Sequence, residues 1–177
     1  MESSLEAWTS LTAHEDAGEA PLGGSADEAR VELREVTANN VRAICRLAVA
    51  RSQSRFVAPN AVSLAEALFE PKAWYRAIYA GDAPVGFAML SIDTATPMYY
   101  LWRLMIADGY QHRGYGRAAI AAIVEHVRTL PGAAGLLVSW VPAEGGPEAF
   151  YLSLGFVPTG EVHEGEIEAR LELGPEA

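Results

Sequence analysis

Between residues 116 and 130 the apolar side chains Ile120, Ile123, Val124 and Val127 recur at the spacing of one helical face, and Pro131-Gly132 ends the run. This predicts a helix over 116–130. Other segments carry the two-residue period of strands. Val31-Glu32-Leu33-Arg34-Glu35-Val36 alternates apolar and polar, the mark of a half-buried strand. Ala77 to Ala80, the turn residues Gly81-Asp82-Ala83-Pro84 and the run Val85 to Leu90 predict a hairpin. Tyr99 to Ile106 reads as a longer, aromatic-rich strand, Leu136 to Val141 as a buried one, and Phe156-Val157 and Ile167 to Leu173 as two more. Shorter helices are expected at three places. Asn39 or Asn40 would cap one carrying Val41, Ile44, Leu47 and Ala48. Ser63 would open another, with Glu66 completing a capping box and Leu64, Ala65 and Leu68 as its apolar residues. Pro147 would sit in the first turn of a third, running to Leu154.

The order is mixed α and β, with one long strand feeding one long helix near the middle. A chain of 177 residues, half of them hydrophobic, suits a single domain with a real core. That domain is expected over 31–177. Residues 1–30, rich in Ala, Gly, Ser and Glu and without periodicity, read as a disordered or loosely docked arm, with Leu5 and Trp8 as docking residues. No apolar run reaches membrane-spanning length, and the first residues lack the basic-then-apolar order of a signal peptide. The single cysteine, Cys45, allows no internal disulfide, so a cytoplasmic location is expected. The formal net charge is −10, concentrated in residues 1–30, where seven acids face Arg30 alone. That balance argues against binding a nucleic-acid backbone and is compatible with a cationic substrate.

Candidate chemistry begins in the loop that joins the long strand to the long helix. Gln111-His112-Arg113-Gly114-Tyr115-Gly116-Arg117 places two glycines and two arginines at a helix start. Unpaired amides of a first helical turn, helped by the helix dipole, form a site suited to a pyrophosphate. The glycine pair alone equally marks a tight loop entering a helix. A dinucleotide fold would want a third glycine where Ala119 stands and an acid about 20 residues on, and Thr129-Leu130-Pro131 offers none. A Walker A loop is excluded because no Gly-Lys-Ser/Thr follows.

A second segment, Phe150-Tyr151-Leu152-Ser153-Leu154-Gly155-Phe156, lies one strand and one loop further along. Taken together, Gln111-x-x-Gly114-x-Gly116 and Tyr151-x-x-x-Gly155-Phe156 resemble the GNAT acetyltransferase superfamily in type, order and separation, over roughly residues 31–173. The resemblance implies an α/β (α+β) fold with a central mixed, mostly antiparallel sheet flanked by helices. It implies transfer of an acetyl group from acetyl-CoA, as co-substrate, to an amine, without a metal. Backbone groups of Leu104, Met105 and Ile106 would hold the pantetheine arm, and Gln111, His112, Arg113, Gly114, Tyr115, Gly116 and Arg117 would wrap the pyrophosphate. Tyr151 would be the general acid for the departing thiolate; read without the resemblance it is a core aromatic beside Phe150 and Phe156. Glu144 stands where many family members have an asparagine, which puts cofactor contacts from the loop 142–147 in question. A homodimer is compatible with the resemblance and not derivable from the residues.

Arg55 to Asn60 with Ser63, Tyr100 to Ile106, and Thr159-Gly160-Glu161 with Gly165-Glu166 resemble the bacterial spermine/spermidine-type members. Polyamines are therefore first among expected acceptors; an antibiotic amine, an amino acid or a protein N-terminus are alternatives, as is a non-catalytic acetyl-CoA sensor. The acceptor ammonium must lose a proton before attack. Glu161, His163, Glu164 and Glu166 are candidate bases, ahead of Glu66 and Asp93. Glu161 and Glu166 are the candidates for binding the acceptor's positive charge, although a solvated acidic edge strand explains them as well. Cys45 and the aromatics Trp74, Tyr75, Trp102 and Trp140 read as packing residues.

Overall fold

The computed structural model describes residues 30–174. The arm expected at 1–30 lies outside them, except for Arg30. Seven strands and four helices follow in the order β1 (Glu32–Arg34), α1 (Val41–Arg46), α2 (Asn60–Ala67), β2 (Ala73–Ala80), β3 (Ala83–Asp93), β4 (Met98–Ile106), α3 (Tyr115–Arg128), β5 (Gly135–Trp140), α4 (Glu148–Ser153), β6 (Val157–His163) and β7 (Glu166–Glu172). A short 3-10 turn, Arg51–Gln53, lies between α1 and α2. The strands form one sheet in the order β1-β2-β3-β4-β5-β7-β6. Every neighbouring pair is antiparallel except β4 and β5. No helix among the described residues is long and apolar enough to cross a membrane.

Alternation along the strands supplies apolar side chains to both faces. Ile78, Val85, Ala88 and Leu90 pack on one face with Ile120, Ile123 and Val127 of α3. Ala77, Tyr79, Phe87 and Met89 pack on the other with Ile44 of α1 and Met105. The stripe that predicted α3 is the stripe it buries, including Ala119 and Val124.

The short helices start differently from expectation. Asn40 precedes α1 but makes no side-chain cap to it. Its Oδ1 instead accepts from Thr37 N at 2.7 Å, and its Nδ2 donates to the Glu35 carbonyl at 2.9 Å, so it braces the turn behind the helix. The second helix begins at Asn60, not Ser63, and the capping box does not form. Asn60 is buried and donates to the Ile44 carbonyl at 2.8 Å, joining α2 to α1. Pairing an otherwise costly buried amide in this way outweighs the local capping preference.

Two irregularities in the sheet position the site. Opposite β3, Met89 pairs with Arg103 and Leu90 with Leu101, leaving Trp102 as an extra residue on β4. Such a bulge bends a strand and shifts its alternation. Leu104 and Ile106 consequently share a face with Leu101, while Met105 joins Trp102 on the other. On the β5 side, ladder pairing consists of Tyr100 with Leu137 and Leu101 with Val138. Beyond the bulge the two parallel strands separate.

The far end of β4 is held from the β3 side. Gly86 pairs with Ile106, and a Cβ there would lie 2.4 Å from the Met105 carbonyl oxygen. Gly86→Ala should therefore push β4 outward and cost about 1–3 kcal/mol, the range for overpacking. Thermal unfolding checks this: a melting temperature lowered by roughly 2–4 °C per kcal/mol is expected.

Candidate active site

The separation of β4 and β5 opens a cleft of about 1130 Å³, walled by Trp102 to Ile106 on one side and Val138 to Val141 on the other. From Trp102 onward β4 has no ladder partner on its β5 side, so the backbone groups facing the cleft are available to a ligand. An extended amide-bearing arm can pair with them as a strand would.

The cleft runs to the N-terminus of α3. In the connecting loop Gly109, His112 and Gly114 have positive φ angles of 84°, 60° and 81°. Alternating hand in this way turns successive N–H groups toward one concave side, an anion-binding nest. The Gln111 side chain does not reach outward: Nε2 donates to Gln53 Oε1 at 2.7 Å and to the Ile106 carbonyl at 2.9 Å. It fastens the loop to the end of β4 and to the 3-10 turn. Gly116 has a packing reason as well as a binding one. A Cβ there would come within 3.2 Å of the Phe150 ring, so the glycine lets α4 lie against the first turn of α3. Arg117 strengthens the same junction, donating to Ser153 Oγ at 3.3 Å.

Tyr151 is buried at the cleft wall, stacked on Trp140 at 5.7 Å between ring centroids and edge-on to Phe150 and Phe156. Burial, and next the neighbouring Tyr100, hold its phenol well above the usual tyrosine range. The hydroxyl is therefore protonated at neutral pH. Tyr151 is thus the core aromatic expected beside Phe150 and Phe156, and it also lines the cleft.

A second wall comes from β7 and the turn before it. Glu166 and Glu168 line the cleft, as do His163 and Glu164. Ser139 Oγ donates to the Glu166 carboxylate. Glu168 Oε1 accepts from Thr159 Oγ1 at 2.9 Å, with His163 Nε2 at 4.0 Å from its other oxygen. Arg103 faces the same space, its guanidinium on the Trp102 ring and 3.2 Å from Glu66.

Leu104, Met105, Ile106, Gln111, His112, Gly114, Tyr115, Gly116, Arg117 and Tyr151 all come together around the cleft. Two anticipated residues do not. Arg113 does not line the cleft; its guanidinium lies 5.8 Å from the ring centroid of Tyr110, which does. Glu161 is exposed on β6, in the stretch between Pro158 and Val162 where the β6–β7 register breaks, and does not line the cleft. Glu168, one of the alternating acids of β7, lines it. Asp93 is bound to Lys72 at 2.7 Å, away from the cleft, and Glu66 reaches it only through Arg103.

Sequence reasoning also missed the roof. Arg55 NH2 donates to the Glu144 carbonyl at 2.8 Å, tying the segment before α2 to the loop after β5. Phe56 and Gly146 close the gap. The Glu144 side chain is thus not needed for what its backbone does.

The donor set suits acetyl-CoA: a nest and helix terminus for the pyrophosphate, free strand groups for the pantetheine, and a neutral phenol at the cleft wall. Comparison with known proteins agrees. A profile of the acetyltransferase (GNAT) family matches residues 43–156. A spermine/spermidine N(1)-acetyltransferase of Bacillus subtilis is 29% identical over 110 residues, covering 56% of this chain and 70% of the relative. Among solved structures, spermidine N-acetyltransferase from Vibrio cholerae in complex with CoA and spermine superposes with a TM-score of 0.63 at 17% identity, over 81% of this chain and 96% of that one. The ribosomal-protein-S18-alanine N-acetyltransferase of Escherichia coli gives 0.61 at 16%, over 83% and 96%. These two likenesses concern the fold. With cleft, cradle and family profile in agreement, the chain belongs to the acetyltransferase (GNAT) family and is an acetyl-CoA-dependent N-acetyltransferase.

Proposed function

We propose that the acceptor is a polyamine, such as spermine or spermidine, whose amine attacks the thioester directly, with Tyr151 as general acid. The observation that carries the acceptor class is the wall of Glu164, Glu166 and Glu168 on the side of the cleft away from the cradle. Carboxylates in a partly desolvated cleft attract a substrate of several positive charges more than a singly charged one. The Bacillus subtilis relative is named for the same acceptors.

Tyr151 suits the role of proton donor. Burial keeps it neutral, and among the described residues nothing accepts its proton, leaving the O–H free for the departing sulfur. Because its pKa lies above the usual range, a strong hydrogen bond to the developing thiolate precedes any complete transfer. The backbone of β4 beyond Trp102 would orient the acetyl carbonyl, and the amides of the loop 111–117 would bind the pyrophosphate.

One observation favours a second acceptor class. Arg103 lines the cleft along with Glu166 and Glu168, and among the described residues its buried Nε has no hydrogen-bond partner. A cationic group there suits an amine that also bears a carboxylate, such as an amino acid or a peptide end. The experiment that decides is CoA release from acetyl-CoA against a panel of polyamines, amino acids and peptides. Turnover confined to carboxylate-bearing acceptors would overturn the polyamine reading.

Tyr151→Phe should lower kcat by about 10²-fold or more, the scale of a lost general acid, with the KM for acetyl-CoA nearly unchanged. Its melting temperature should match the parent's, because the hydroxyl makes no hydrogen bond to any of the described residues. In the parent, Tyr151 stays protonated as pH rises, so it should impose no alkaline loss of rate below about pH 10. Gly116→Val should force Phe150 out of place and weaken acetyl-CoA binding by roughly tenfold or more, the scale of a 1–3 kcal/mol overpacking cost; titration calorimetry with CoA reads this directly.

A further inference from the structure

Glu166 has more than its charge to offer. Tyr100 Oη on β4 lies 2.5 Å from Ser139 Oγ on β5, and Ser139 Oγ is bonded to the Glu166 carboxylate on β7. The sheet fixes this row. Tyr100 pairs with Leu137, two residues before Ser139 on the same face, and Ser139 pairs with Glu168, two residues from Glu166. All three side chains line the cleft at the point where β4 and β5 part.

The direction of the hydrogen bonds follows from counting protons. An ionised carboxylate only accepts, so the single proton of Ser139 is committed to Glu166. Ser139 can then only accept from Tyr100, whose proton points inward along the row. What Tyr100 presents to the cleft is a lone pair. An incoming ammonium group meets an acceptor there, connected through two hydroxyls to a base.

We propose that Tyr100, Ser139 and Glu166 form a relay that removes a proton from the acceptor ammonium, an inference that rests on the amine-acetylation reading above. The ammonium gives a proton to Tyr100 Oη. The Tyr100 proton passes to Ser139 Oγ, and the Ser139 proton passes to Glu166. The row ends as two neutral hydroxyls and one carboxylic acid, beside an amine with a free lone pair. That lone pair forms the C–N bond at the thioester carbonyl, the C–S bond breaks, and sulfur keeps the electron pair and takes a proton from Tyr151. The second amine proton restores Tyr151 through solvent, and Glu166 returns its own proton to water. The sum is one amide, one thiol and one released proton.

The surroundings favour conduction over storage at Tyr100. Glu166 and Glu168 of β7 and Arg103 of its own strand act on it electrostatically, and it acts in turn on Tyr151 of α4. Burial, joined by the two glutamates, raises its pKa against the opposing pull of the Ser139 hydrogen bond and of Arg103. A phenol that resists ionisation does not rest as a phenolate, so the proton removed from the ammonium ends on the carboxylate of the row and Tyr100 stays neutral. His163 pairs with Glu166 across the β6–β7 hairpin, and with Glu164 it completes the set of titratable groups at that end.

The test is the pH profile of kcat/KM with spermidine for the parent, Ser139→Ala, Ser139→Thr and Glu166→Gln, with acetyl-CoA saturating and unfolding temperatures in parallel. Ser139→Ala breaks the row at its middle while leaving the phenol at one end and the carboxylate at the other. It and Glu166→Gln should lose about 10²-fold at pH 7 and recover most of this by pH 10, where solvent supplies free amine. Ser139→Thr keeps the hydroxyl and should restore the parent profile. Profiles of Ser139→Ala and Glu166→Gln that run parallel to the parent at every pH would overturn the relay, because a bracing role lowers activity without changing its shape. Should Ser139→Ala fail to fold, Tyr100→Phe, which removes the first hydroxyl of the row and leaves Glu166 in place, decides in its stead. A parent that acetylates no amine overturns acetyl transfer to amines and the relay together, whereas an active parent with unaltered variants overturns the relay only.

Discussion

The structure turns on a pair of parallel strands that stop being a pair. Beyond Leu101 and Val138 the ladder between β4 and β5 ends, and backbone groups that a continuous sheet would have satisfied are left facing open space. Unpaired buried N–H and C=O groups cost about 1–3 kcal/mol each when nothing binds them. In this fold that cost is spread over a cleft that admits water and a substrate arm of matching chemistry. The binding site is thus a defect in the sheet, kept open by design of its borders.

Those borders are set by few residues. The extra residue Trp102 bends β4 at the place where pairing ends. Gly86 lets β3 approach the Met105 carbonyl closely enough to hold the bent strand, and Gln111 ties its end to the following loop. The roof from Arg55 to Glu144 limits how far the strands spread. In the proposed reaction the proton donor and the relay are divided across the sheet. Tyr151 and α3 lie on the face of the larger core, while alternation places Tyr100, Ser139 and Glu166 on the other.

How much of this was legible follows from range. The stripe on α3, the alternation of β1 and β7 and the hairpin of β2 and β3 are local patterns, and they read correctly from the chain. The cradle was legible because its parts are consecutive. Local cues failed where tertiary bonds competed with them: Asn60 serves Ile44 from inside the fold, which moves the start of α2 ahead of Ser63. The bulge at Trp102 has no composition signature, since it depends on the register of β3 against β4. For the acids at the end of the chain, composition drew attention to Glu161 and Glu166, and Glu168 was passed over although it stands one two-residue step beyond Glu166 on β7. Glu161 was a poorer choice because the register break in β6 could not be seen in advance.

The hairpin of β6 and β7 stands apart from the rest in what it carries. It holds Glu164, Glu166 and Glu168 but no residue of the cradle, and β6 is exposed along its whole length at the sheet edge. Its inward side chains, such as Ala169 and Ile167, belong to the common core, whereas its outward acids Glu166 and Glu168 pair with the polar side chains of Ser139, Thr159 and His163 and border the cleft. Descent can therefore rewrite the outward row without disturbing nucleotide recognition, and a lineage can exchange one amine for another by a handful of substitutions on a single strand.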